Sequence, residues 1–243
     1  MVDGLLRRFA PLRKRFAFVA GNDESPNRAW GRYNVTRARV SGTEGYADEA
    51  EELFKRYESL PPAHAHRAVL HLIPTAPSRV MDIGSGTGRD AAWFAGMGHR
   101  VVAVEPTDAL RLPAMTLHPS PHIEWLNDSL PDLALSRARG EKFDLIMLTA
   151  VWMHLDQQQR RRAMPNVAAL VREGGVMIMM IRHGPVPAGR RMFEVSAEET
   201  IELAQMQDLR LVLNLREQSS QEANRAAGVD WTSLAFVKGK ERS

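Results

Sequence analysis

Cysteine is missing from all 243 residues. Its absence excludes disulfide bridges, thiolate metal sites and a cysteine nucleophile. No apolar run approaches the roughly 18 residues that a membrane-crossing helix needs. Nor is there a long apolar stretch ahead of a small-residue cleavage site of the secretory kind. A soluble, cytoplasmic protein is the expectation. Internal repeats and low-complexity tracts are absent too. His64 and His66 stand two apart, so on a helix they would face different sides, and no carboxylate cluster joins them. No metal site is expected.

What is present suits an ordinary globular chain. Hydrophobic residues make up 44%, enough for one substantial core with at most a small appendage. The formal net charge of +3 is unevenly spread. Residues 1–40 hold nine Lys/Arg against three Asp/Glu, a local balance of +6, and the remainder holds 23 against 26, or −3. A mildly acidic main body argues against a nucleic-acid groove across it. In the basic arm Leu5, Leu6, Phe9, Leu12, Phe16 and Val19 share one helical face, but Pro11 breaks the pattern and residues 21–27 are loop-like. The arm reads as a poorly ordered or domain-packing extension. A second reading is contact with a membrane surface through residues 5–19, or a transit peptide.

Residues 41–77 predict a helical lid or cap. One helix is expected over residues 46–58, stopped by Pro61-Pro62, and another over 63–71. From residue 79 strands and helices alternate. Strands are predicted at 79–83, 100–104, 122–126, 143–148 and 176–181, with helices at 89–97, 108–117, 132–139, 157–171 and 196–207 between them. Two strands, 209–215 and 232–237, then follow each other with no helix between. The fold class is therefore α/β, a doubly wound, mostly parallel seven-stranded sheet with helices on both faces and one antiparallel strand near the C-terminus. Arg160-Arg161-Arg162 is expected to form a solvated helix face.

The most informative segment is Val80-Met-Asp-Ile-Gly-Ser-Gly-Thr-Gly-Arg89. A buried strand, a glycine turn and a helix start make a site for a nucleoside-bearing cofactor. The dinucleotide pattern Gly-x-Gly-x-x-Gly is not met, because its third glycine is Arg89. Glu105, at the end of the second strand, can hold ribose hydroxyls in either class of cofactor. Asp82 discriminates between them. A carboxylate beside a pyrophosphate would repel it, whereas a cofactor with an amino group and a sulfonium can use it.

With those residues in view, the sequence resembles the class I S-adenosylmethionine-dependent methyltransferases, with their Rossmann-like fold. The glycine motif, Val101-Val-Ala-Val-Glu105-Pro106, Asn127-Asp-Ser-Leu130, Phe143-Asp-Leu-Ile-Met-Leu148 and Leu170-Val-Arg-Glu-Gly-Gly-Val-Met-Ile178 follow in the family's order. Many relatives carry Pro where this chain has Glu173. The resemblance spans about residues 46–238 and implies S-adenosyl-L-methionine as cofactor, bound by residues 78–243. It further implies that Asp82, Gly84, Ser85, Gly86 and Gly88 cradle the methionine moiety. Glu105 and Pro106 would hold the ribose, and Asp128, Ser129 and Leu130 the adenine. Thr149, Ala150 and Val151 would line the floor, and Tyr46 is a lid candidate, with Asp48 and Tyr57 behind it.

Methyl transfer to an oxygen or nitrogen needs alignment, exclusion of water and, for some acceptors, removal of a proton. Two histidines follow strand ends. His183 and His154 are the candidate bases, set against the plainer roles of bonding a loop backbone and capping the next helix. Trp152 and Arg182 are candidate substrate contacts. The Asp/Asn-Pro-Pro-aromatic motif of nucleic-acid amino-methyltransferases is replaced by Thr149-Ala-Val-Trp152, and no acidic double-Glu loop is found. A small-molecule acceptor is the expected partner, nucleic acid is not, and the oligomeric state is open. Competing readings are a cofactor-binding but catalytically silent partner protein, an RNA or protein methyltransferase using the basic arm, and, remotely, a nicotinamide-dependent oxidoreductase.

Overall fold

The computed structural model describes residues 40–239. The basic arm expected over 1–40, with its amphipathic pattern, therefore lies outside the described residues except for Val40. From there the chain turns twice at positive-φ glycines, Gly42 and Gly45, before helix α1 (Ala50–Glu58). The helix begins four residues later than expected, so Tyr46 sits in the preceding turn, its N–H bonded to the Thr43 carbonyl at 3.2 Å.

The single helix expected over 63–71 is broken into α2 (Pro62–Ala65) and a 3-10 turn at Leu70–Leu72. His66 explains the break. It is fully buried, bonds Asp90 at 2.8 Å and stacks on Trp93, which draws the chain inward between the two pieces.

The alternating elements then run β1 (Arg79–Ile83), α3 (Arg89–Gly96), β2 (Arg100–Val104), α4 (Asp108–Leu117), β3 (Ile123–Leu126), α5 (Ala134–Ala138) and β4 (Phe143–Thr149). They continue with α6 (Gln157–Ala168), β5 (Val171–His183), α7 (Ala197–Gln205), β6 (Leu209–Gln218), α8 (Glu222–Ala226) and β7 (Asp230–Lys238). Pro113 is carried inside α4. The closing strands were expected to be joined without a helix, but the short α8 stands between them. The sheet order is β3-β2-β1-β4-β5-β7-β6. Pairing is parallel from β3 through β5, and β7 is antiparallel to both its neighbours.

Strand alternation divides the core into two layers. On one face Met81, Ile83, Val102, Val104, Ile146 and Leu148 pack with Met164 and Val167 of α6. On the other, Val80, Val101, Ala103, Leu145, Met147 and Ile178 pack with Ala91 and Phe94 of α3 and with Val69 and Ile73. Burying a side chain such as Phe94 is worth about 1.5–3 kcal/mol.

Helix α6 opens with a reciprocal capping box, Gln159 N–H donating to Asp156 and Asp156 N–H to the Gln159 side chain. At α7 the Ser196 hydroxyl accepts from Glu199 N–H, but the Glu199 carboxylate turns instead to Arg160 of α6, at 3.1 and 2.8 Å. The expectation that residues 160–162 form a solvated face is therefore corrected at Arg160, which is buried. Its guanidinium also caps the Leu155 carbonyl.

Candidate active site

The second face changes character at one end of the sheet. On β1 the apolar row ends in Asp82, on β4 Leu145 and Met147 lead to Thr149, and just past β2 Val101 and Ala103 lead to Glu105. On β5 Ile178 is followed by Met180 and Arg182, and on the oppositely running β7 Trp231 and Ser233 precede Ala235. Asp82, Glu105, Thr149, Met180, Arg182, Trp231 and Ser233 line a cavity of about 350 Å³ over the carboxyl ends of the parallel strands. A crevice astride β1 and β4, where the strand order reverses, is where such sheets bind ligands.

The glycine turn forms one wall. The N–H groups of Gly84 and Ser85 both donate to the Val104 carbonyl, at 2.8 and 3.0 Å, tying the turn to β2. Gly84 has φ +73°, and a Cβ there would stand 2.4 Å from Val151 Cγ2. Gly86, at φ +56°, differs because a Cβ there would meet nothing within 4 Å among the described residues. Gly84 is thus glycine for packing, and Gly86 leaves the backbone bare toward the cavity. Gly88, expected to help cradle the cofactor, does not line the cavity. It is the left-handed N-cap of α3 and abuts Trp125 and His118.

Among the described residues, four buried polar atoms on the cavity wall have no hydrogen-bond partner, namely Asp82 Oδ2, Ser85 Oγ, Thr107 Oγ1 and Thr149 Oγ1. Burial pushes the Asp82 carboxyl well above its ordinary value, helped by the charge of Asp90 and opposed by Arg89. Burial also raises Glu105, against the lowering effect of its hydrogen bonds. Its carboxylate accepts from Gly86 N–H at 2.9 Å and Thr107 N–H at 2.8 Å, leaving each oxygen a free lone pair.

Asp128 accepts from Ser129 N–H through Oδ1 and from both the N–H and the hydroxyl of Ser136 through Oδ2. It braces the 129–136 turn, and only Oδ1 keeps room for another donor. Pro106, Ser129, Leu130, Ala150 and Val151 also line the cavity.

The cap closes over this floor. The Glu58 carboxylate accepts from the Thr87 hydroxyl at 2.5 Å, joining α1 to the glycine turn. Arg190 lies over the Tyr46 ring at 3.9 Å and pairs with Glu49 at 2.7 Å. The Tyr46 hydroxyl is 2.9 Å from His154 Nε2, and His154 Nδ1 is 2.7 Å from the Arg191 carbonyl. A carbonyl only accepts, so Nδ1 carries the proton and Nε2 receives the Tyr46 O–H. Burial lowers His154 from its ordinary value, the Arg191 carbonyl raising and Arg190 further lowering it. Burial likewise pushes the Tyr46 phenol far up.

Two expectations fail on geometry. Strand β5 runs on to His183 instead of ending near 181, and alternation sends His183 to the face opposite Arg182. There it bonds Thr232 Oγ1 at 2.8 Å, away from the cavity. Trp152 is wholly buried in the core beside α6 and does not line the cavity either. Arg182 and His154 do. Missed were Arg190, in a loop without pattern, and Trp231, which a strand begun two residues earlier would have placed opposite Arg182.

Comparison with known proteins agrees with this geometry. Residues 80–175 match a family model described as a methyltransferase domain. That segment, under half of the chain, is similar to the class I S-adenosylmethionine-dependent methyltransferases. An uncharacterized methyltransferase of Mycobacterium tuberculosis is 29% identical over 126 residues, 49% of this chain and 46% of that protein. Mouse glycine N-methyltransferase is 27% identical over 135 residues, 47% of this chain and 46% of its own. The chain thus matches about half the length of these curated relatives.

Among solved structures, 1,6-didemethyltoxoflavin-N1-methyltransferase of Burkholderia thailandensis, bound to its substrate and S-adenosylhomocysteine, superposes with TM-score 0.60 at 21% identity. It covers 85% of this chain and 94% of that one. The N-methyltransferase NodS of Bradyrhizobium japonicum, in complex with S-adenosylhomocysteine, gives 0.55 at 18% identity over 76% and 87%. At such identities the likeness establishes the fold. The methyltransferase-domain match takes in the glycine turn, Glu105, Asp128 and Thr149, but ends before Arg182, Arg190 and Trp231.

Proposed function

We propose that the protein is an S-adenosylmethionine-dependent methyltransferase that methylates an oxygen or nitrogen of a small-molecule acceptor. The observation that carries this reading is the set of unpartnered buried atoms, Asp82 Oδ2, Ser85 Oγ, Thr107 Oγ1 and Thr149 Oγ1, beside the bare Gly86 backbone. Each such atom costs about 1–3 kcal/mol when nothing bonds it, so the wall suits a ligand carrying an amino group and further polar groups. Asp82 would hold that amino group, Glu105 the two ribose hydroxyls with its free lone pairs, and Asp128 Oδ1 the adenine amine.

S-adenosylmethionine, when bound, supplies a methyl group already activated on a cationic sulfur. The chain's own residues then bind, orient and exclude water. Tyr46, held between Arg190 and His154, covers the cavity. Because neutral His154 accepts the hydrogen bond of the Tyr46 O–H, the phenol oxygen is left to accept a hydrogen bond from the acceptor's O–H or N–H. A proton leaving the acceptor can pass to that oxygen as the Tyr46 proton passes to Nε2. The resulting imidazolium would keep its Nδ1–H bond to the Arg191 carbonyl.

The test is release of S-adenosylhomocysteine from S-adenosylmethionine across a panel of small hydroxyl and amine compounds. Turnover of at least one of them is expected. Tight cofactor binding without turnover on any acceptor would instead identify a catalytically silent binding protein.

A further inference from the structure

The far half of the cavity, over β5 and β7, carries an imbalance of charge. Among the described residues five arginines line the cavity, Arg56, Arg67, Arg89, Arg182 and Arg190. Three of them are balanced. Arg67 pairs with Glu217 at 2.9 Å, Arg89 with Asp90 at 2.7 Å and Arg190 with Glu49 at 2.7 Å. The other two meet no carboxylate among the described residues. The Arg182 guanidinium comes only to 4.0 Å of the Met192 sulfur, and Arg56 reaches only the Tyr57 hydroxyl at 3.4 Å and its ring.

Both guanidinia line the same cavity, and burial lowers Arg182 from its ordinary value, with Tyr46 and Tyr57 opposing and the Arg56 charge adding to the effect. Two like charges turned on one cavity raise its potential and favour an anion there. The acids that share this half, Glu217 and Glu49, are already taken by Arg67 and Arg190. Neutral side chains stand beside Arg182 on this wall. Trp231 stands directly opposite it on β7, so both side chains lie on the same face, and Gln218 and Asn224 add amides to the rim.

We propose that the methyl acceptor is a small acid with a flat apolar body, its anionic group held by Arg182 and Arg56 and its body laid against Trp231. This rests on the methyltransferase reading above. Arg182 is the specificity-determining residue, because a planar guanidinium can grip a carboxylate or phosphate with two parallel hydrogen bonds.

The experiment titrates protein already saturated with S-adenosylhomocysteine, so that the cofactor's own carboxylate is in place. The probes are acid and neutral pairs of matched shape, benzoate with benzamide and indole-3-acetate with indole-3-acetamide, together with phenyl phosphate. At least one acid should bind about tenfold or more tightly than its amide, the size expected of a charge-assisted hydrogen bond. That preference should vanish in Arg182→Gln, survive in part in Arg182→Lys and weaken with added salt. Trp231→Leu should weaken acid and amide alike.

Equal binding of acids and amides, binding of no acid, or a preference that survives Arg182→Gln would overturn the proposal. So would Arg182→Gln losing S-adenosylhomocysteine affinity with the acid preference intact, since the guanidinium would then serve the cofactor. Failure of wild-type protein to bind S-adenosylhomocysteine at all would strike the methyltransferase reading instead.

Discussion

Asp82 shows how one residue links sequence to chemistry. Its place inside the first strand, two positions before Gly84, marked it in the sequence, and the structure adds that one oxygen is buried and unpartnered. Its raised carboxyl has a signed consequence. Without ligand, folding stability should fall as pH rises between the ordinary carboxyl value and the raised one, because the unfolded chain gives up its proton first. A cationic amino group bound beside Asp82 favours the carboxylate, so binding should release a proton and tighten as pH rises through that window. Calorimetry of S-adenosylhomocysteine binding in two buffers of different ionisation enthalpy would show this as a buffer-dependent heat; identical heats would contradict the assignment.

Tyr46 and His154 make the second residue-scale case. Each was legible as a candidate, but not that they bond to each other, since 108 residues separate them. Tyr46→Phe should lower kcat by about tenfold or more while leaving S-adenosylhomocysteine affinity nearly unchanged, because the ring and its Arg190 contact persist. His154 must be neutral to receive the Tyr46 proton and its value is depressed, so the acid limb of kcat should lie below the ordinary histidine value of 6.5. The stability gained by burying it neutral is present above that value and lost as pH falls through its lowered one. An acid limb well above 6.5 would mean that another group controls the step.

At the scale of elements, the order of strands and helices was legible because apolar runs, glycine turns and N-cap residues mark it locally. What could not be read was where strands extend beyond their apolar centres. Residues 182 and 183 look alike as loop candidates after Ile181, yet two further residues of β5 pairing put Arg182 in the cavity and His183 behind the sheet. Arg160 is a similar case, since nothing in a run of three arginines says which one turns inward. The buried Arg160 bonds Glu199 twice and the Leu155 carbonyl once. Arg160→Ala should therefore destabilise the fold by about 2–3 kcal/mol, while Arg161→Ala, on the exposed side, should change stability by less than about 0.5 kcal/mol. Denaturant midpoints of the two variants provide the comparison, and equal midpoints would remove the link between α6 and α7 from the account.

At the scale of the whole molecule, the cavity divides into two halves of different legibility. The half over β1 and β2 is built from contiguous motifs, so its residues announced themselves in the sequence and lie within the methyltransferase-domain match. The half over β5 and β7 is assembled from the cap, the loop carrying Arg190 and Arg191, and a strand near the chain's end. No local pattern joins these segments.

The central claim is that the Gly86 backbone and its neighbours bind the cofactor, and the Gly84 and Gly86 positions allow a direct test. Isothermal titration with S-adenosylhomocysteine should give saturable one-site binding to the wild-type protein. Gly86→Val should abolish that binding by filling the space at the cavity wall. Its cost in folding stability should stay near the roughly 1–2 kcal/mol of a left-handed residue, less than for Gly84→Val, which also meets Val151. No binding to wild type, or full affinity retained in a folded Gly86→Val, would contradict the account.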